Sequence, residues 1–325
     1  MKAFVCHKYG PPEVLQLQEV EKPTPKEQEV LVKVYASSIN AADWHLLTAD
    51  IFLVRLFMGP FKPKKPILGA DIAGRVESVG SKVTRFKPGD AVFGNLGVNR
   101  LGGYAEYAVA GEAELVHKPA NVSFEEAAAV PLAAITALQG LRDVGNIQPG
   151  QKVLINGASG GVGTFAVQLA KFFGAEVTAI CSTRNVEQAR SLGADHVIDY
   201  SQEDFTKKVQ KYDLIMAVNG YHPIAVYQRA LTPKGVYVMV GGGQKQMFAA
   251  LFKGPWMSKK GGQRLGALNL KPNPQDMPFL KGLLETGKIV SAIDKRYPLT
   301  ALVEAFRYFG QGHAQGKVVI TVAQD

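Results

Sequence analysis

Short runs of β-branched and apolar residues, separated by turn signals, fill the first third of the chain. Residues 3–7, 29–36, 73–79 and 91–93 read as strands, with Gly10-Pro-Pro, Lys22-Pro-Thr-Pro and Lys87-Pro-Gly-Asp between them. Closely spaced strands without intervening helices predict a twisted antiparallel barrel or sandwich rather than βαβ units. The rhythm changes after Phe124. Residues 125–143 form a long Ala/Leu-rich helical pattern, opened by the capping-box sequence Ser123-Phe-Glu-Glu. Strands at 152–156, 176–180, 196–199, 213–218 and 235–240 then alternate with helices starting near Gly161, Asn185, Glu203 and Pro223. Apolar strands separated by helical stretches predict a parallel sheet covered on both faces. The tail is mixed, with helices near 275–285 and 301–309 and a last strand at 317–322. The expected fold class is therefore α/β, in two domains: a mainly β domain of residues 1–124 plus 271–325, and a doubly wound parallel domain of residues 125–270.

Composition narrows this picture without redrawing it. The 325 residues are 46% hydrophobic and 20% charged, the profile of a soluble protein. No stretch reaches the roughly 18–20 uninterrupted apolar residues of a membrane span. The opening Met-Lys-Ala-Phe-Val-Cys-His has neither a secretory nor a transit pattern, so a cytoplasmic location is expected. Two distant cysteines, Cys6 and Cys181, exclude a disulfide framework and a four-cysteine zinc site, and imply a reducing compartment. The net charge of +9 raises the question of nucleic acid, but the basic residues are dispersed and their densest runs, at 62–65 and 259–260, are short. A solvated basic surface around an anionic cofactor is the expected reading, with no nucleic-acid partner. The basic aromatic stretch 248–260 is interrupted by Gly254-Pro255, which favours a pocket wall or subunit contact over a membrane-surface helix.

The most informative stretch is Lys152-Val-Leu-Ile-Asn-Gly-Ala-Ser-Gly-Gly-Val-Gly163. An apolar strand runs into glycines, and the glycines open a helix carrying Val162, Phe165, Ala166 and Leu169. Gly157 and Gly160 allow a tight turn, Gly161 lets backbone approach a pyrophosphate, and Gly163 lets the helix pack on the strand. The helix N-terminus adds free N–H groups and partial positive charge. Gly157, Ser159, Gly160, Gly161 and Val162 are therefore candidate dinucleotide contacts. About twenty residues on, where an NAD site places an acid for the ribose hydroxyl, the chain reads Ile180-Cys-Ser-Thr-Arg-Asn185, with no acid. Ser182 and Arg184 are suited to a 2′-phosphate instead, which makes NADPH the expected cofactor.

Over nearly its whole length the chain resembles the medium-chain dehydrogenases, in the zinc-independent branch of quinone, alkenal and enone reductases. Pro66-Ile-Leu-Gly-Ala-Asp-Ile-Ala-Gly-Arg-Val-Glu-Ser-Val-Gly80, Phe86-Lys-Pro-Gly-Asp-Ala-Val-Phe-Gly94 and Gly103-Tyr-Ala-Glu-Tyr107 resemble that family's GroES-like catalytic domain. Gly160-Gly-Val-Gly163 resembles its nucleotide turn, and Gly316-Lys-Val-Val319 its closing strand. Ala158 replaces the first fingerprint glycine, as is usual in the quinone-reductase branch. The resemblance implies a Rossmann domain beside a GroES-like domain, a homodimer, and Asn40 and Thr136 near the nicotinamide. It makes Asn40 and Asp43 the candidate catalytic residues, with Asp43 orienting the loop that carries Asn40. Tyr200, after the third strand, resembles a residue near the adenosine phosphate. Asn219, Gly241, Gly242 and Gly243 follow the fourth and fifth strands, and Lys317 is a candidate for a cofactor phosphate.

Departures from the zinc-dependent members define the expected chemistry. Asn40 stands where those enzymes carry a ligand cysteine, and Ala70-Asp71 where they carry histidine and glutamate. A catalytic zinc needs three protein ligands, so no metal is expected. Without a Lewis acid, the feasible reaction is hydride delivery to an acceptor that disperses its own negative charge, a quinone or an α,β-unsaturated carbonyl. Two alternatives stay open. An enoyl-thioester reductase usually carries a positioned tyrosine, and residues 46–62 contain none. A non-catalytic NADPH-binding structural or regulatory protein would keep the fold without turnover.

Overall fold

The computed structural model describes residues 1–243, 249–250, 258 and 262–323, except the side chains of Phe52, Leu53 and Phe57. Most of the basic aromatic stretch 248–260 thus lies outside the described residues. The chain forms two compact units, Met1–Ala133 with Pro274–Asp325, and Ala134–Asn273.

In the first unit, β1 (Lys2–Cys6) and β2 (Leu15–Glu19) form an antiparallel ribbon. The centre is β3 (Glu29–Ile39), whose sequence Glu-Val-Leu-Val-Lys-Val-Tyr-Ala-Ser-Ser-Ile is almost continuously buried. Along one edge β3 pairs with β4 (Asp71–Val79), which continues to β5 (Ala91–Asn95). Its other edge is shared. Glu29–Lys33 pair with β6 (Tyr107–Gly111), and Ala36–Ile39 pair with a later strand of the same unit. Two register shifts between β3 and β4 bend the pair, as bulges do. β7 (Leu115–His117) closes the far side on β5. Val30, Val32, Val34, Ile72, Val92 and Leu115 form one core of this sheet.

The second unit is a six-stranded parallel sheet. Its strands are β8 (Lys152–Asn156), β9 (Glu176–Cys181), β10 (His196–Asp199), β11 (Tyr212–Ala217), β12 (Leu231–Met239) and β13 (Arg264–Ala267). The order β10-β9-β8-β11-β12-β13 is a doubly wound arrangement whose direction reverses between β8 and β11, where ligands bind in such sheets. After it, β14 (Ile293–Pro298) and β15 (Lys317–Thr321) return to the first unit, and β15 supplies the partner of Ala36–Ile39. The fold class is the expected one, a Rossmann sheet plus a GroES-like β unit.

Three local expectations change. Residues 125–143 are not one helix: Phe124–Ala128 ends before a second helix, Pro131–Gln139, and a π-turn, Gly140–Val144, follows. Proline at 131 has no N–H to continue the first helix. Phe124–Ala128 belongs to the first unit, where Phe124 stacks on Tyr35 at 4.6 Å between ring centroids. The helix expected from Glu203 is only a three-residue turn, Phe205–Lys207, because Phe205 is buried while Val209 is 91% exposed, so no apolar face forms. Short β2, β6, β7 and β13 add strands that the apolar pattern alone does not single out.

Candidate functional site

Strand register brings one polar row together in the first unit. Ser38 of β3 lies opposite Asp71, the first residue of β4, and Asp71 lies opposite Asn95, the last residue of β5. Val318 pairs with Ile39, so Lys317 at the start of β15 comes beside Asn40. Asn40 follows β3 and precedes the helix Ala41–Thr48, with Asp43 in that helix's first turn.

Every polar atom of Asn40 is engaged. Its backbone N–H donates to Asp43 Oδ2 at 2.9 Å, and Nδ2 donates to Asp71 Oδ2 at 2.9 Å. Lys317 Nζ donates to Asn40 Oδ1 at 2.5 Å. Asp71 is fully buried and also accepts from Ser38 Oγ at 3.1 Å, Asn95 Nδ2 at 2.7 Å and the Leu132 N–H at 3.0 Å. Lys317 lies farther from it, 3.7 Å from Oδ2. Burial pulls the Lys317 ammonium below the usual lysine range, and the charges of Asp71 and Asp43 oppose this.

Asp43 is the unsettled group of the cluster. It is fully buried, and its Oδ1 has no hydrogen-bond partner. Burial, reinforced by the negative charge of Asp71, pushes its pKa up from 3.8 to about 6, against the pull of the Asn40 N–H and Lys317. The nearby Tyr104 hydroxyl makes a long hydrogen bond to the Ser38 carbonyl, 3.4 Å. Burial, then the charge of Asp43, holds this phenol well above its usual range.

In the second unit the candidate residues gather at the carboxyl ends of the parallel strands. Gly157 follows β8 at φ +88°, and a Cβ there would meet Asn219 Cβ at 2.8 Å. A Cβ on Gly163 would meet the Gly157 carbonyl oxygen at 2.1 Å, so only glycine lets the helix Gly161–Phe172 sit this close to the turn. The first i→i−4 bond of that helix runs from the Thr164 N–H to the Gly160 oxygen. This leaves the preceding N–H groups, from Gly161 to Gly163, at the positive end of the helix dipole beside Ser159.

Ser182, half-buried after β9, accepts a hydrogen bond from Asn185 Nδ2 at 3.1 Å, and Arg184 beside it is exposed. The Tyr200 N–H donates to the Cys181 carbonyl, leaving a ring that is 64% exposed. Asn219 is tied by its N–H to the Asn156 carbonyl, and Gly242 bridges to Gly220 with φ +130°. Gly241 packs where a Cβ would meet the Val218 carbonyl at 2.6 Å, and Gly243 follows it. Thr136 is buried in the helix Pro131–Gln139.

The chain matches two family models, "Alcohol dehydrogenase GroES-like domain" over residues 26–120 and "Zinc-binding dehydrogenase" over residues 192–320. It is 38% identical to a chloroplast envelope quinone oxidoreductase homolog of Arabidopsis thaliana, covering 94% of this chain and 93% of that one. The chain belongs to the medium-chain dehydrogenase/reductase family, in its quinone oxidoreductase branch. It is also 33% identical to an NADPH-dependent alkenal/one oxidoreductase of the same plant, over 98% of this chain and 79% of the relative. The Escherichia coli quinone oxidoreductase solved with NADPH superimposes with a TM-score of 0.86, at 26% identity, covering 99% of this chain and 100% of that one.

Within this family, the residues present do not fit a catalytic zinc. Asn40 is locked between Lys317 and Asp71, Ala70 has no donor, and an ammonium already occupies the neighbourhood a metal cation would need. No three His, Cys, Asp or Glu side chains converge among the described residues. A dinucleotide fits better. The glycines leave room for its backbone-bound phosphates, and Ser182 and Arg184 stand at the second strand end.

The structure brings Asn40, Asp43 and Lys317 into one cluster and gathers the remaining candidates, Thr136 apart, at strand ends of the second unit. It does not leave Lys317 available as a phosphate contact, because the side chain is 3% exposed and its ammonium is held by Asn40 and Asp71. The linear reading misses Asp71 as a site residue, together with Ser38, Asn95 and Tyr104. Ser38, Asp71 and Asn95 share only a position at or next to a strand end, and Tyr104 lies in the loop before β6. It also misses Asp199, which register places opposite Cys181 and which accepts from Thr183 Oγ1 at 2.6 Å. No helix among the described residues is long and apolar enough to cross a membrane.

Proposed function

We propose that this protein reduces quinones or α,β-unsaturated carbonyl compounds with NADPH and without a metal. One observation carries the reading: the Asn40 amide, where zinc enzymes of the family hold a ligand, is fixed as a hydrogen-bond donor by Asp71 and Lys317. When bound, NADPH supplies the hydride. The N–H groups at Gly161–Val162, with the turn from Gly157 to Gly160, hold the pyrophosphate. Ser182 donates to the 2′-phosphate, Arg184 pairs with it, and Tyr200, Asn219 and the 241–243 glycines line the rest of the cofactor. The second N–H of Asn40 Nδ2 donates to the substrate oxygen that gains negative charge, and Asp43, its pKa raised to about 6 by burial, keeps the loop of Asn40 in place.

A saturated ketone places that negative charge on one alkoxide oxygen, which a lone amide donor stabilises far less than a zinc ion does. A conjugated acceptor disperses it. NADPH oxidation is therefore expected with cyclohexenone and with a benzoquinone, and at least about 100-fold more slowly with cyclohexanone. Equal rates on the enone and the saturated ketone would overturn this reading. Cys6 and Cys181 are both free and buried, which supports a reducing compartment. The expected cytoplasmic location and homodimer rest on the sequence pattern and on family likeness, and the two Arabidopsis relatives carry chloroplast locations in their names.

A further inference from the structure

The cluster around Asn40 contains a cation, Lys317, whose placement a phosphate contact does not explain. Asp71 already receives four hydrogen bonds, from Ser38, Asn40, Asn95 and the Leu132 N–H, enough to satisfy a buried carboxylate without Lys317. If Lys317 served only to neutralise Asp71, its ammonium would rest on that carboxylate. Its short contact is instead to a neutral atom, Asn40 Oδ1 at 2.5 Å, while Asp71 Oδ2 is 3.7 Å away. The side chain is 3% exposed, so this placement is kept at the cost of removing an ammonium from water.

We propose that Lys317 is a positioning residue that acts through Asn40, orienting and polarising its amide as the electrostatic substitute for a metal ion. This rests on the function proposed above. The orientation is unambiguous. Turning the amide over would set its NH2 against an ammonium and its oxygen against the Asp71 carboxylate, replacing two charge-assisted hydrogen bonds with two repulsions. One N–H of Nδ2 is bound to Asp71 and the oxygen to Lys317. The other N–H lies on the side of Asp43, whose electrostatics also carries a side-chain contribution from Asn40, and has no further partner among the described residues. An ammonium hydrogen-bonded to an amide oxygen draws electron density from the nitrogen, and hydrogen bonds in a chain strengthen one another. The remaining N–H thereby becomes a stronger donor to an oxygen gaining negative charge. Lys317 touches neither substrate nor reacting atoms. The groups facing it are Asn40, Asp71 from β4 and Asp43 from the helix Ala41–Thr48.

The test measures turnover of wild type, Lys317→Met and Lys317→Arg on a series of enones graded in the basicity of their enolates, with NADPH affinity from fluorescence titration. Lys317→Met is expected to lower kcat by about 10–100-fold, somewhat less than loss of a whole oxyanion donor. NADPH affinity should stay within about two-fold. The dependence of log kcat on enolate basicity should steepen, because more charge remains on the substrate, and Lys317→Arg should restore part of both effects. A kcat within about three-fold of wild type, or an equal slowing of every acceptor, would overturn the proposal, since a structural role does not sense substrate electronics. Should Lys317→Met alone fail to fold, the charge-balanced pair Lys317→Met with Asp71→Asn replaces it. Recovery of wild-type turnover and slope in that pair refutes the relay, and a slow enzyme with a steep slope supports it. Wild type that turns over no enone or quinone would overturn the proposed function and this inference together. Turnover that Lys317→Met leaves intact overturns only the inference.

Discussion

Asp43→Asn tests whether burial rather than charge governs the polar cluster. The Asp43 pKa rises from 3.8 to about 6 in the folded protein, so the native state binds its proton more tightly than the unfolded chain does. Stability from this group is therefore fully present below pH 3.8 and is lost as pH rises through about 6. At 1.36 kcal/mol per pKa unit, the ionised carboxylate costs the native state about 3 kcal/mol at pH 8. Asparagine mimics the protonated acid: its oxygen still accepts the Asn40 N–H, and no charge is buried. Its NH2 would face the position where Asp43 Oδ1 has no partner, a penalty of about 1–3 kcal/mol that does not vary with pH. The informative quantity is thus the pH dependence of the difference between variant and wild type. Urea unfolding followed at intervals from about pH 3.5 to pH 8 should show the variant gaining relative stability from about pH 4 to about pH 6.5, then levelling off. A pH-independent difference, or a relative loss that grows with pH, would mean that Asp43 is ionised and stabilised in the fold, contrary to its burial.

Arg184→Ala should weaken NADPH binding roughly ten-fold, the worth of one exposed charge-assisted contact, and leave NADH binding unchanged. Equal losses in a fluorescence titration would remove Arg184 from 2′-phosphate recognition. Gly163→Ala places a methyl 2.1 Å from the Gly157 oxygen, so the turn must open. A destabilisation of about 1–3 kcal/mol and a loss of NADPH affinity are expected, and unchanged calorimetric binding would contradict the cradle. Elemental analysis should find no stoichiometric zinc, and turnover should survive a strong chelator. One tightly bound zinc per chain with chelator-sensitive activity would refute the reading of Asn40 and Ala70.

What could be read along the chain is what local chemistry dictates. The glycine turn at 157–163 is legible because φ +88° at Gly157 and the 2.1 Å approach at Gly163 admit only one residue type. The position of Ser182 and Arg184 at the end of β9 is legible because a parallel sheet puts its strand ends on one side, about one βα unit apart. The broken helix at Pro131 was readable in principle, since a proline interrupts any pattern longer than two turns. Val209 shows the opposite limit. The helix expected from Glu203 would carry it, but it is 91% exposed and the helical turn ends at Lys207.

The cluster around Asn40 is a non-local object. Asp71, Asn95 and Lys317 become neighbours only because β15, β3, β4 and β5 lie side by side in one register, and a shift of one residue would turn Asp71 to the other face. The same argument explains why Lys317 is misread from sequence. A lysine near a nucleotide-binding fold suggests a phosphate contact, because lysine is ordinarily exposed. Here β15 starts beside the end of β3, so its first side chain enters the interior and must find acceptors there, at Asn40 and Asp71. A buried lysine tolerates few replacements, since removing one member of a buried charge group leaves the others uncompensated. Register therefore converts an ordinary surface cation into a fixed internal charge. On the proposed function, that conversion sets a buried lysine, whose pKa burial lowers, one amide away from where a substrate oxygen would gain negative charge.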